Sequence, residues 1–287
     1  MIFYTEYQTP RVRFYNRFIR EHRIIKPLLF RRYSGYQLTK SFHRQMAPYC
    51  TVEEGDTVIQ VGATGHYNLG VSQPLIYSSL VGAAGQVFTI EPDPVGLDGL
   101  IRYVNVSGVR NVTAIDTAAW DSEGVEQFTY FIGHAGTNVQ SEYNPHNDEY
   151  PPKTPGVIMH ERDTEVDTLD SIIRKQGIGK VDHINVTVNG TEYRVFQGMI
   201  KTLQSVKSVS FVYSNRYTVE SPILEFLESQ GLDVLIIHAP VSLRQKQFLV
   251  GIAAPKIANL LPHMVEEGYE ARFEYLREHS RVAVKRV

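Results

Sequence analysis

The chain has 287 residues, 43% of them hydrophobic and 21% charged, with a formal net charge of −2. This size and composition fit a soluble globular protein built on one large domain with extensions, and no apolar run approaches the roughly 20 residues of a membrane-spanning helix. Cys50 is the single cysteine, which excludes an intrachain disulfide and a cysteine-based zinc cluster; the opening residues lack a secretory pattern, so a cytoplasmic location is expected.

Charge is unevenly spread. Residues 1–44 hold ten Lys/Arg against two acids, a net of +8 that leaves −10 on the remainder. Phe14, Phe18 and Ile19 recur at helical spacing among Arg11, Arg13, Arg17 and Arg20. Two readings stand for this segment: a helix packed on the main domain with its arginines in water, or a basic amphipathic helix lying on anionic lipid or a partner. No nucleic-acid motif accompanies the charge, which disfavours that partner.

From residue 57 short apolar runs alternate with helical patterns. TVIQVGA (57–63) predicts a buried strand, and SQPLIYSSLVG a helix that Ser72 could cap and Gly82 could stop. QVFTIEP (86–92) reads as a second strand, NVTAIDTAAW (111–120) contains a third, and VEQFTYFI (125–132) an added one. Residues 133–156, rich in Gly, Pro, Asn and His, form a long loop of the kind that contacts substrates. A helix with Leu169, Ile172 and Ile173 on one face follows, stopping at Gly177.

VDHINVTVNGTEYRVFQG (181–198) then predicts a strand over 182–188 and a helix with Val195, Phe196, Met199, Ile200 and Leu203 as its buried stripe. SVSFVYS (208–214), a helix entered at Ser221-Pro222, LDVLIIHA (232–239) and QFLVGIAA (247–254) complete the series, and a packing helix is expected in the tail beyond 257. Strands alternating with helices imply an α/β, Rossmann-like fold. Its sheet should have seven strands, mainly parallel, with a terminal antiparallel hairpin and helices on both faces.

Ligands of such sheets bind at the carboxyl ends of the strands. Gly62 and Gly65 follow the first strand, where a missing side chain allows close backbone approach, but the loop matches neither a dinucleotide nor an ATP fingerprint. Glu91 ends the second strand and could accept two hydrogen bonds from ribose hydroxyls; Asp116, Thr117 and Ala118 end the third, where an adenine would lie. A nucleoside-containing cofactor follows from this pairing.

In their order and spacing, VIQVGAT, GQVFTIEPDP, NVTAIDTAAWDSEGVEQF, VDTLDSI and VDHINVTVNGTEYRVFQG resemble the S-adenosylmethionine-dependent methyltransferases of the FkbM type, over roughly 57–254. The resemblance divides the chain into a basic extension (1–45), a methyltransferase-like domain (46–256) and a helical tail (257–287). It implies S-adenosylmethionine as cofactor, with Gly62, Ala63 and Thr64 along its methionine part, Glu91 on the ribose, and Thr117 and Ala118 beside the adenine. It also implies methylation of a hydroxyl on a sugar, glycan or small metabolite.

The sequence departs from the family pattern in three places. Gln60 replaces an acid inside the first motif, the following loop is one residue short, with His66 and Tyr67 in uncertain register, and the family's Ile-Asp-Val-Glu-Gly becomes Val186-Thr187-Val188-Asn189-Gly190. Thr187 and Asn189 can position an acceptor but cannot act as a carboxylate base or hold a metal. His134, His146 or His66 could supply a base, imidazole having the suitable pKa. The expected activity is therefore a metal-independent O-methyltransferase; the alternative is a degenerate methyltransferase fold that binds without turnover.

Overall fold

A computed structural model describes residues 2–5, 14–15, 18–19, 25–30, 32–46, 48–62, 72–132, 139–140, 158–188, 190–213, 222–238 and 249–255. Its main sheet has eight strands, which in spatial order are β1 (Ile2–Thr5), β11 (Asp233–His238), β12 (Leu249–Ala254), β10 (Ser208–Tyr213), β9 (His183–Val186), β2 (Thr57–Val61), β3 (Gln86–Ile90) and β4 (Val112–Ile115). Only β12 runs antiparallel to its neighbours β10 and β11. Seven of these strands are those expected, hairpin included. The eighth comes from the basic N-terminal segment: β1 pairs in parallel with β11, Ile2 opposite Val234.

Alternation along the strands feeds a core on each face. Ile59 and Val61 of β2 point into one cluster, together with Ile184, Val186, Val195, Phe196 and Phe211, while Val58 points into the other, with Leu75, Leu80, Tyr36 and Phe30. Helices α1 (Ile25–Phe30), α2 (Tyr33–His43), α3 (Gln73–Val81) and α4 (Pro94–Ser107) contribute to the second cluster. Helices α5 (Leu169–Lys175), α6 (Glu192–Gln197), α7 (Ile200–Leu203) and α8 (Ile223–Ser229) contribute to the first.

Between β4 and α5 lies a second, four-stranded sheet of β5 (Ala118–Trp120), β8 (Ile158–Thr168), β6 (Gly124–Ile132) and β7 (Val139–Gln140). The run 111–120, read as containing one strand, therefore divides: β4 stays in the main sheet and β5 joins the second.

Three local features differ from the sequence-based expectation. Helix α4 was not anticipated, although its ends are well marked: the Asp93 side chain accepts from Val95 N at 3.0 Å, Pro94 opens the helix, and Gly108 closes it at φ +69°. Strand β8 was missed because its HERDTEVD run reads as polar; it is held by a nine-pair antiparallel register with β6. The single helix expected over 192–203 breaks at Gly198, since a Cβ there would stand 1.8 Å from the Trp120 carbonyl oxygen. Ile200, beyond the break, is exposed rather than part of the buried stripe.

Candidate active site

The carboxyl edge of the main sheet is built by hydrogen bonds that carry the parallel ladder one residue past each strand. Thr187 N donates to Val61 O at 2.9 Å, Gly62 N to Ile90 O at 2.9 Å, and Glu91 N to Ile115 O at 3.1 Å. Thr187, Gly62 and Glu91 thus stand in a row at the ends of β9, β2 and β3, with exposed Asp116 next, at the end of β4.

Gly62 has φ +77°, and a Cβ on it would come within 2.3 Å of Thr187 O. The glycine is thus demanded by the approach of two strand ends, a more specific reason than room for a ligand. At β3 the Glu91 carboxylate accepts from Asp93 N at 2.9 Å, which fixes the turn 91–93. The hydroxyl of Tyr130, on the second sheet, bonds Thr164 Oγ1 at 2.9 Å and approaches Pro92 O at 3.5 Å, so the second sheet braces that turn.

Two of the positions where the sequence departs from the family pattern touch each other. Gln60 is fully buried, and its Nε2 donates to Thr187 Oγ1 at 2.7 Å and to Gly62 O at 3.1 Å. The Thr187 hydroxyl donates in turn to Gly62 O at 2.8 Å, and lies 3.3 Å from Gln73 Oε1 at the start of α3. Gln60 Oε1 accepts from Asn185 Nδ2 at 2.6 Å, and Asn185 Oδ1 accepts from Ser210 Oγ at 2.7 Å.

The register explains this row: Gln60, Asn185 and Ser210 are direct cross-strand partners on β2, β9 and β10. One step back, His183 sits between Val58 and Ser208. Its ring bonds Ser210 Oγ at 3.0 Å and Ser208 Oγ at 2.7 Å. Burial, assisted by the Lys207 charge, pushes the His183 imidazole down to about 3, so it is neutral. An uncharged hydrogen-bonded ladder therefore runs through the middle of the sheet to the site.

The family model of the methyltransferase FkbM domain matches residues 60–233 of the chain, well over half of it. The chain belongs to this family. A curated relative, the protein-L-isoaspartate O-methyltransferase of Fervidobacterium nodosum, is 31% identical over 86 residues, which is 30% of this chain and 40% of that protein's length. Among solved structures, the FkbM methyltransferase of Methylobacillus flagellatus is 14% identical, with a TM-score of 0.43 over 79% of this chain and 57% of that one. Aeropyrum pernix fibrillarin, solved with natively bound S-adenosyl-L-methionine, is 12% identical with a TM-score of 0.43 over 79% and 76%.

Of the residues singled out from sequence, this FkbM-family chain brings Gln60, Gly62, Glu91, Asp116 and Thr187 together at the strand ends. Thr117 is displaced toward the second sheet, its Oγ1 lying 3.4 Å from Glu165 O, and Ala118 is buried where β5 begins. Ala63, Thr64, Gly65, His66, His134, His146 and Asn189 lie outside the described residues, as does the tail beyond 255. Trp120 is a core residue, stacked edge-on with Phe128 and covered by the Arg194 guanidinium. Ser72 precedes α3 without capping it through its side chain.

The structure adds three residues to this set. Gln73 and Asn185 reach the site through partners more than a hundred positions away, which no local pattern reveals. Glu192, two residues past Gly190 in the family-like segment, is 4% exposed, and its carboxyl takes the backbone N–H groups of Val188, Gly190 and its own residue. Burial nevertheless raises this acid to about 8, so it holds its proton at neutral pH. Among the described residues no group of three or more His, Cys, Asp or Glu side chains is arranged so that it could hold a metal ion.

Proposed function

We propose that the protein is an S-adenosylmethionine-dependent O-methyltransferase acting on a hydroxyl of a sugar, glycan or small metabolite, by placement of the acceptor rather than by a carboxylate or a metal. The observation that carries this reading is the row of strand ends, Thr187, Gly62, Glu91 and Asp116, in a member of the FkbM methyltransferase family. The side chains present suit the cofactor: an acid in a fixed turn after β3 for the ribose hydroxyls, and a strand end at β2 whose amide and carbonyl are locked in place. Glu91, Gly62, Ala63, Thr64 and Gly65 would hold it, with Asp116, Thr117 and Ala118 toward the base.

When bound, S-adenosylmethionine supplies a methyl group activated by a positively charged sulfur. In-line displacement at such a methyl gains much of its acceleration from alignment of the nucleophile, which side chains without charge can provide. Thr187 and Gln60 serve alignment only: each polar atom of the pair already bonds protein, so neither is a base. His134 remains the proposed proton acceptor and Asn189 a proposed acceptor-positioning residue.

That mutual satisfaction also favours a second reading, in which the fold binds cofactor or a partner without turnover. Titration calorimetry with S-adenosylmethionine, on the native protein and on Glu91→Ala, tests the cofactor. We expect binding to the native protein and about tenfold or more weakening in the variant, the scale of one lost charge-assisted hydrogen bond. No binding to the native protein overturns the first reading and the cofactor-binding form of the second. Binding without methyl transfer to a panel of glycans and hydroxylated metabolites leaves the second.

A further inference from the structure

Directly beneath the strand ends the sheet carries a polar row, where a buried parallel sheet normally carries apolar side chains. Thr89, Gln60, Asn185 and Ser210 are cross-strand neighbours on β3, β2, β9 and β10, and all four are fully buried. Gln60, Asn185 and Ser210 are bonded in series, whereas Thr89 Oγ1, on the other side of Gln60, has no hydrogen-bond partner. Polar groups are costly to bury even when satisfied, so a bonded series that ends at the candidate site calls for a reason beyond packing.

The direction of every bond in the series is decided at the site. Gln60 Nε2 faces three oxygens, Thr187 Oγ1 at 2.7 Å, Gly62 O at 3.1 Å and Val61 O at 3.2 Å, and the two carbonyls can only accept. The Gln60 amide therefore cannot be reversed, and its Oε1 takes a hydrogen from Asn185 Nδ2. Asn185 Oδ1 in turn takes the only hydrogen of Ser210 Oγ. His183 Nε2, 3.0 Å from that hydroxyl, is left to donate. Because the ring is neutral, Nδ1 then carries no hydrogen and accepts from Ser208 or Thr51, 2.7 and 3.2 Å away. At the other end the Thr187 hydroxyl accepts from Gln60 and places its own proton on Gly62 O at 2.8 Å. One lone pair of Thr187 Oγ1 remains for a ligand, and no hydrogen.

We propose that this ladder is a positioning device: His183 is held as the Nε2–H tautomer, and with Ser210 and Asn185 it fixes Thr187 so that its hydroxyl meets a ligand as a hydrogen-bond acceptor only. Thr187 can then take a hydrogen bond from a ligand hydroxyl and give none to a ligand oxygen. Orientation toward a ligand rests on the methyltransferase reading above; the polarity of the ladder stands without it.

The test follows side-chain nitrogens of the full chain by NMR. It compares Ser210→Ala, two strands from Gln60, with Thr89→Val, which removes an unbonded hydroxyl on the adjacent strand. Expected are a neutral His183 ring with its hydrogen on Nε2 in the native protein, and a Gln60 side-chain amide signal that shifts in Ser210→Ala but not in Thr89→Val. Methyl-transfer assays should show kcat lowered about tenfold or more in Ser210→Ala, with the KM for S-adenosylmethionine unchanged, and native values in Thr89→Val. A His183 ring that is charged or protonated on Nδ1 overturns the proposal, whether or not the Ser210 variant folds. So does a Gln60 amide that responds equally to both substitutions, or a native kcat in Ser210→Ala. A native chain with the expected nitrogen signals that neither binds S-adenosylmethionine nor transfers methyl overturns the methyltransferase reading and upholds the ladder.

Discussion

Gln60 and Glu192 are both fully enclosed polar side chains near one strand junction, and they meet the cost of burial differently. Gln60 carries no charge and satisfies its amide through Asn185, Thr187 and Gly62. Glu192 has no ion-pair partner among the described residues and keeps its proton up to about 8. His183 is pushed the other way, to about 3 from an ordinary 6.5. The signs combine. Above pH 6.5 the folded chain retains the Glu192 proton that the unfolded chain has released, so stability falls as pH rises toward 8; below 4.5 the unfolded chain takes up the His183 proton that the folded chain refuses, so stability falls again. Between those values the two groups cancel, and their joint contribution is level. Urea midpoints across pH 4 to 9 should show the plateau, with a limiting slope near about 1.4 kcal/mol per pH unit for each group. Glu192→Gln should remove the loss on the alkaline side while leaving the acid side. At this scale sequence was informative wherever a residue ended a strand, as with Gln60, Gly62, Glu91 and Thr187. It was silent on Asn185 and Gln73, whose roles depend on the register between distant strands.

Among the elements, the clearest divergence from periodicity is the break in the helix after β9. Apolar spacing alone carries a helix through 192–203, yet Gly198 sits against the Trp120 carbonyl, and α6 ends there so that β5 can pass. Gly198→Ala would place a Cβ inside the contact distance of that backbone oxygen. We expect a loss of about 2 kcal/mol or more in chemical denaturation, since backbone on both sides must move. The buried strands and their order were legible because continuous apolar runs between turn residues have few other readings. Strand β8 was not, because its polar residues 160–163 are exposed in succession, without the alternation of a half-buried strand, and its identity comes from β6, more than twenty-five positions earlier.

For the molecule as a whole, the N-terminal segment joins the sheet through β1 and the second core through Tyr15, Phe30 and Tyr36, so it functions as part of the domain. Its charge marked it as a distinct surface, but charge carries no information on strand pairing. Removing residues 1–6 should uncover the outer edge of β11, a run of apolar residues with unpaired backbone groups. Light scattering on heating should then show earlier aggregation than in the full chain.

The pairing of Ile2 with Val234 also sets a clock. β1 is translated before the other described strands, and its partner among the described residues, β11, follows more than 220 residues later. At about 5–20 residues per second, the first strand waits on the order of 10 to 50 seconds without a neighbour. During that interval IFYT and the aromatic segment behind it are exposed to chaperones, lipid or other nascent chains. The same residues that finish the sheet are thus the ones most available to other partners while the protein is being made.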